Sequence, residues 1–368
     1  MIALTGPCFE ESDFQQLYEA IQRKAVAEGD ITRAFEEDCR AFLAGAGAVA
    51  TNSCTSALVL ALAALDIVPG DEVILPSYTC LAVLNAVVQV GATPRLTDNA
   101  YSAAQMDYNM TADVARRAIS TKTRAVVVPH MFGVPAAIDE IARLGIAVVE
   151  DITLSLGAYY KGKPVGAWGD IAVCSFHSSK MIACGEGGML VANTPSLYEK
   201  VRYLNGWEAE QPALRVAEHS AEPYRLRYSF RLSDVASALG RSQLRKLPAF
   251  VARRRDLASR YTERLADIPH LTLPGVNQES NVFFRYLVAL QAGNVVEVIR
   301  RFTAAGIEVG RGVYPPLHRY LGLDAADYPG AEHAVGTLLS IPLYPALSDE
   351  EVEYILATSR SVLSGTET

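Results

Sequence analysis

The sequence predicts an α/β protein, a large domain with a mainly parallel mixed sheet sandwiched by helices plus a smaller α+β C-terminal domain, and three observations carry that prediction. Between residues 50 and 195, apolar helix-like stretches alternate with short β-branched runs, the pattern of a layered βα sheet. Most of these runs, EVILP and AVVVPH among them, lack polar alternation, as strands buried on both faces do. At 368 residues the chain exceeds the usual size of one core and has the length of about two domains. We place them at residues 1–245, a large domain with an N-terminal helical segment, and 246–368, a small C-terminal domain.

In order along the first domain, TSALVLALAAL reads as a helix, EVILP as a strand, LAVLNAVVQVG as a helix and TPRLTD as a strand. A helix near TADVARRAI, the strand AVVVPH, the helix AIDEIARLG and the strands AVVED, IAVCSFH and GGMLVAN follow. Residues 233–264 read as long helix, interrupted near Pro248, because proline removes one N–H and crowds the preceding turn. Beyond it, FFRYLVAL reads as a strand, NVVEVIRRFTAAG as a helix, IPLYP as a strand or loop, and SDEEVEYILATSRSVL as a closing helix. Ser348 and Glu351 have the capping-box spacing that marks the start of that last helix.

Composition excludes several functions. A net charge of −8 argues against nucleic-acid binding, which needs a basic face; Arg253, Arg254 and Arg255 read as a solvated helix face. The longest apolar run, residues 57–65, falls far short of the roughly 18 residues of a membrane helix. The N-terminal MIALTGPCFEESD lacks a signal peptide's basic start, so a cytoplasmic location is expected. Cys8, Cys39, Cys54, Cys80, Cys174 and Cys184 form no CxxC pair, which leaves buried free thiols in a reducing compartment as the reading. The histidines show no HxxxH spacing, so no metal site is expected; His130 and His177 read as structural.

Ligands of open α/β sheets gather at the carboxyl ends of strands, and four segments with suitable chemistry lie at such ends. In TNSCTSAL, small and hydroxyl residues precede a strong helix, and a helix N-terminus can cradle phosphate; Thr55 and Ser56 would supply hydroxyls or amides. Helix capping by Ser53 or Thr55 accounts for the same residues equally well. In VVED, Asp151 is the better placed of two acids to pair with a protonated pyridine nitrogen, although a surface acid or cap is the commoner role. In IAVCSFHSSKMIACGEGGML, Lys180 sits in a polar turn, where partial desolvation favours the neutral amine that Schiff-base chemistry requires. The neighbouring Ser175, Ser178, Ser179, Gly185, Gly187 and Gly188 allow close approach of a phosphorylated ring. In LPSYTC, Tyr78 could stack on a planar cofactor or lie in the core.

These segments, together with VVPHMFG, RLSDVASALGRSQL and VYPPLH…SIPLYPALSDEEV, resemble the DegT/DnrJ/EryC1/StrS family of sugar aminotransferases over nearly the whole chain. SCTSAL, SFHSSK and GEGG are similar in particular to the branch containing dTDP-4-amino-4,6-dideoxygalactose transaminase. The resemblance implies pyridoxal 5′-phosphate (PLP) fold type I, with PLP and pyridoxamine phosphate (PMP) alternating as cofactor. It implies that Lys180 forms the Schiff base, that Asp151 pairs with the pyridine nitrogen and that Tyr78 stacks on the ring. It also implies that Thr55, Ser56 and Ser175 hold the phosphate, with Ser229 in the place of an asparagine lent across the dimer. His318 and Tyr314 of the YPPLH motif, and Glu186 of GEGG, are the candidate substrate contacts.

The expected partners are an amino acid donor, glutamate first, and a ketosugar, nucleotide-linked, or a ketocyclitol acceptor; no nucleic acid or membrane is expected, and a homodimer with shared active sites is. Four departures from the family pattern stand out. Cys54 replaces a glycine at the cradle, Leu154 replaces a Gln or His that reaches the cofactor's ring hydroxyl, Ser229 replaces the asparagine of YNYR, and KAVAEGDI poorly matches a WLTQG-like segment. Leucine cannot hydrogen-bond, which opens the reading of decarboxylation or another PLP-dependent lyase reaction on an amino acid; a PLP-dependent sugar dehydratase is a further rival within the same fold. Known 3-dehydratases of the family carry histidine where Lys180 stands. A non-catalytic member acting as a binding partner is the remaining alternative.

Overall fold

A computed structural model describes residues 1–100, 106–206, 226–275 and 280–365. Two helices, α1 (Glu11–Gln22) and α2 (Asp30–Leu43), lead into the main sheet. Its strands are β1 (Gly47–Thr51), β2 (Glu72–Pro76), β3 (Thr93–Thr97), β4 (Thr123–Pro129) and β5 (Ala147–Asp151), then, after the small hairpin β6 (Tyr159–Tyr160) and β7 (Lys163–Pro164), β8 (Ile171–Ser175) and β9 (Gly188–Ala192). Between and after them run α3 (Cys54–Ala64), α4 (Leu81–Gln89), α5 (Ala112–Ala118), α6 (Ile138–Ala142) and α7 (Pro195–Asn205).

The seven strands lie in the order β1-β9-β8-β5-β4-β2-β3. From β3 to β8 all neighbours are parallel, whereas β9 runs antiparallel to both β8 and β1. Two antiparallel steps return β1 to the direction of β8. The carboxyl ends of β1, β2, β4, β5 and β8 and the amino end of β9 therefore share one edge. Chain direction also reverses its sideways progress at β2, since β3 lies on one side of it and β4 on the other, the kind of switch point at which α/β sheets bind ligands.

Strand alternation divides the core. Val73, Leu75, Val127 and Val149 face the leucines of α3, while Ile74, Val126, Val128 and Val148 pack with Ala115, Ile138 and Ile141 on the other face. Each such aliphatic side chain contributes about 1.5–3 kcal/mol on full burial. Only β3 alternates exposed and covered residues, as its edge position allows, and the edge also tolerates Pro94.

Then comes α8 (Asp234–Leu265), a single helix of 32 residues. The interruption expected at Pro248 does not occur. Proline costs a helix interior about 3 kcal/mol, but Leu244, Leu247, Phe250 and Val251 on both sides of it are buried, and this packing holds the helix through the defect. The expected domain boundary at 245/246 falls inside α8. At its start, Ser233 accepts from the N–H of Ala236, and the Asp234 carboxylate accepts from the N–H groups of Gly29 and Thr32 at 2.8 Å, so it caps α2 from 202 residues away.

The C-terminal unit contains β10 (Leu271–Thr272), β11 (Tyr286–Leu290), α9 (Val295–Ala304), α10 (Leu317–Tyr320), α11 (Pro329–Thr337), β12 (Leu338–Ile341) and α12 (Asp349–Ser364). Its three strands are antiparallel, and the Ser348–Glu351 capping box forms as its spacing predicts. FFRYLVAL enters the sheet only from Tyr286. The buried Arg254, one of the three arginines expected on a solvated face, donates to the carbonyls of Phe283 and Phe284 and so takes the place of a neighbouring strand. Burial in turn lowers the Arg254 guanidinium pKa to about 10.

Candidate active site

The shared sheet edge gathers most of the residues singled out by sequence. In the strand register Gly188 lies opposite both Thr51 and Ser175, so GEGG, the start of α3 and the end of β8 meet. A Cβ on Gly188 would stand 2.5 Å from the carbonyl carbon of Ser53 and 2.6 Å from the nitrogen of Cys54. Only a residue without a side chain allows that approach.

At the cradle itself the capping reading holds. Ser53 accepts from the Ser56 N–H at 3.2 Å, and the Ser56 hydroxyl turns to Asn52 at 2.6 Å. Among the described residues, the N–H groups of Cys54 and Thr55 have no acceptor. Those two donors and the positive end of α3 remain available to an anion, as a phosphate cradle requires.

The two acids of VVED separate as successive residues of a strand must. Glu150 is fully buried on the far side, where it accepts from the N–H groups of Gly166, Trp168 and Gly169 at 2.6–2.8 Å and lies 3.0 Å from His130 Nε2. Because His130 Nδ1 accepts from the Ala136 N–H at 3.0 Å, Nε2 carries the proton, and the pair is structural. Asp151 takes the site side. It is 5% exposed, and Oδ1 accepts from the Thr153 N–H at 3.0 Å. Burial raises its carboxyl pKa, against the opposing hydrogen bonds of Thr153 and the weaker influence of Lys180 and His130. A buried anion without an adjoining cation costs free energy, and a protonated ring nitrogen would relieve it.

Lys180 closes a turn through its N–H to the His177 carbonyl at 2.9 Å. Its Nζ lies 5.5 Å from the centre of the Phe284 ring, and the Arg285 guanidinium approaches the same ring at 5.5 Å. Phe284 thus brings the C-terminal unit to the lysine. Arg285 has no carboxylate within ion-pair distance among the described residues, and burial lowers its pKa; it contacts the Ser340 hydroxyl at 3.4 Å. Ser175, nearly buried, accepts from the His177 N–H at 3.3 Å.

Several residues stand elsewhere than expected. Tyr78 is fully buried against Tyr108 and Phe132, and its hydroxyl accepts from the Val313 N–H at 3.1 Å. With no open ring face, it supports the 312–318 segment instead of stacking on a ligand. His318 is also fully buried. It stacks on Tyr328, with Nδ1 2.7 Å from the Ser77 hydroxyl and Nε2 2.9 Å from Glu332, so both nitrogens are committed to packing rather than to a substrate. His177, expected to be structural, is exposed and reaches Ser179 and, at 3.8 Å, Glu186. Glu186, Tyr314 and Ser229 are all exposed; the Arg311 guanidinium lies 4.5 Å from the Tyr314 ring.

Three site residues escaped the sequence reading. Thr153 bridges β5, β8 and α3, Arg285 brings a cation from the second unit, and Cys80 carries an exposed thiol at the start of α4. Desolvation raises the Cys80 thiol's pKa, the Asp151 charge adds to the rise and Lys180 opposes it. The expectation of buried thiols holds for Cys39, Cys174 and Cys184, whereas Cys8 and Cys54 are half-buried and Cys80 is exposed. Leu154, by contrast, is packed against the main core, consistent with leucine at that position.

A family model described as DegT/DnrJ/EryC1/StrS aminotransferase family matches residues 7–360. Among curated relatives, "dTDP-4-dehydro-2,3,6-trideoxy-D-glucose 4-aminotransferase" of Saccharopolyspora spinosa is 32% identical over 96% of this chain and 95% of its own. "GDP-perosamine synthase" of Caulobacter vibrioides is 33% identical over 86% of this chain and 85% of its own. Among solved structures, "Putative sugar aminotransferase Spr1654 from Streptococcus pneumoniae, PMP-form" superposes with a TM-score of 0.90 over the whole of both chains at 25% identity.

Proposed function

The chain belongs to the DegT/DnrJ/EryC1/StrS aminotransferase family, and from that membership we propose that it uses PLP to move an amino group from an amino acid, glutamate first, to a ketosugar, nucleotide-linked, or to a ketocyclitol. One observation carries the reading: the free N–H groups at the start of α3, the buried Asp151 carboxylate and Lys180 converge on a single sheet edge. A phosphate, a cationic ring nitrogen and a carbonyl carbon fit those three groups in turn.

When bound, PLP supplies an electrophilic carbon and a ring that takes up negative charge. The chain's own residues do the rest. Cys54 and Thr55 N–H groups, with Ser56 and Ser175 at their side, hold the phosphate. Asp151 keeps the ring nitrogen protonated. Lys180 would anchor the cofactor covalently, and its Nζ, once freed by the donor, would take the proton from the donor's Cα and hand it to the cofactor; in the return half the same nitrogen would carry a proton from the cofactor to the sugar carbon that receives the amine. Arg285 offers a cation to the donor's carboxylate.

The retained Lys180 disfavours the dehydratase reading. The two curated relatives carry different nucleotides in their names, dTDP and GDP, so the acceptor's nucleotide is a matter for assay, including the aminogalactose branch suggested by SCTSAL and SFHSSK. A homodimer is supported by an exposed apolar stripe on α1, Phe14, Tyr18 and Ile21, and by the exposed Ser229. The reading keeps the expected cytoplasmic setting, and no helix among the described residues is long and apolar enough to cross a membrane.

The test is a pair of half-reactions. Glutamate is expected to bleach the yellow enzyme and release 2-oxoglutarate, and the colour should return only with a ketosugar or ketocyclitol acceptor. Bleaching that no keto acceptor reverses, or release of ammonia with each sugar consumed, would place the chain with the lyases instead.

A further inference from the structure

We infer that Thr153 is a positioning residue that ties the Asp151 carboxylate, through its backbone N–H, and the Ser175 backbone and Cys54 thiol, through its hydroxyl, into one cofactor-binding frame. The inference rests on the PLP reading above and concerns how this chain builds that site.

The connections come from three elements. Thr153 follows β5 directly, and its N–H donates to Asp151 Oδ1 at 3.0 Å. Across the sheet, the N–H of Ser175, at the end of β8, donates to Thr153 Oγ1 at 3.1 Å. From the first turn of α3, Cys54 Sγ lies 3.5 Å from the same oxygen. Thr153 is 7% and Ser175 9% exposed, so water offers these groups little replacement.

Thr153 therefore holds Asp151 through its backbone N–H, while its hydroxyl oxygen accepts the Ser175 N–H and lies at hydrogen-bond distance from the Cys54 thiol, where either group can donate. Valine has the shape without the hydroxyl, whereas serine keeps the hydroxyl and lacks only the methyl. The thiol that replaces glycine at the cradle therefore has a partner, which makes Cys54 and Thr153 a matched pair.

The groups facing Asp151 are few. Lys180 from the turn after β8 and His130 from the end of β4 favour its anion, whereas the thiols of Cys54, Cys80 and Cys174 on α3, α4 and β8 lie near enough to interact with its charge. The Thr153 side chain is one of the influences that oppose burial at Asp151, so its loss is expected to raise the carboxyl pKa further.

The experiment uses the full-length protein, stripped of cofactor and reconstituted with PLP, with cofactor uptake read by absorbance across pH. Thr153→Val should weaken PLP binding about tenfold, as expected when the buried Ser175 N–H is left without its acceptor, and move the acid limb of cofactor retention upward. Thr153→Ser should recover most of both. Equal behaviour of Thr153→Val and wild type overturns the inference, as does equal impairment of the Val and Ser variants, which would assign the effect to the methyl. Should the Val variant fail to fold, Thr153→Ser still decides: a PLP affinity and acid limb close to wild type support the hydroxyl's role, and a shift as large as that of Asp151→Asn contradicts it. A wild-type chain that takes up no PLP sinks the functional reading itself, whereas PLP uptake unaffected by Thr153→Val sinks only this proposal.

Discussion

Lys180→Ala is expected to lose the absorption band of the lysine-bound cofactor and at least roughly 10³-fold in transamination rate, since general acid–base catalysis alone supplies about 10²–10⁴. The residue does two tasks with one nitrogen, anchoring and proton transfer, so no neighbour replaces it. Cys80, His177 and Arg285 surround the turn, but the first is a thiol with a raised pKa, the second points to Ser179 and Glu186 and the third is a permanent cation. PLP should still bind non-covalently through the α3 cradle and Asp151. A variant that kept both that band and turnover would remove Lys180 from the mechanism.

Asp151→Asn should separate stability from function. An amide cannot stabilise a protonated ring nitrogen as a carboxylate does, and loss of one preorganised electrostatic contact lowers turnover by roughly 10²–10³-fold. The cofactor-free protein should behave differently. Burial raises the Asp151 carboxyl above its ordinary 3.8, so the unfolded chain releases that proton at lower pH than the native state does. Stability associated with the protonated group is present in acid and lost as pH rises through the native value. Near neutral pH the variant without the charge should therefore resist urea as well as the wild type or better. A clear loss of stability there would show that Asp151 is a structural anion instead.

The sheet was legible because its signals are local. Runs such as EVILP and AVVVP carry their burial in their composition, and the start of α12 is written in Ser348 and Glu351. Asp151 and Lys180 were legible as residue types at the ends of buried strands. What sequence does not show is which way a side chain turns once the chain is folded. Tyr78 and His318 lie in the expected segments but point into packing, held by Val313 in the one case and by Ser77 and Glu332 in the other.

Long-range partnerships were hidden for the same reason. The partners of Thr153 lie 22 and 99 residues away, and nothing near Thr153 in sequence announces them. Pro248 misleads in the opposite direction, since a local helix breaker is overridden by burial that only the folded chain supplies. Departures from the family pattern proved informative in one place: Cys54 and Thr153 touch, so the substitution at the cradle has a structural counterpart in the loop after β5.

The central claim, that Lys180 is the residue that carries the cofactor, can be tested without knowing the substrate. Borohydride reduction of the PLP-loaded protein, followed by proteolysis and mass spectrometry, should place a single phosphopyridoxyl group on the peptide containing Lys180. The same group found on a different lysine, or no stable adduct from a protein that has taken up PLP, would contradict it.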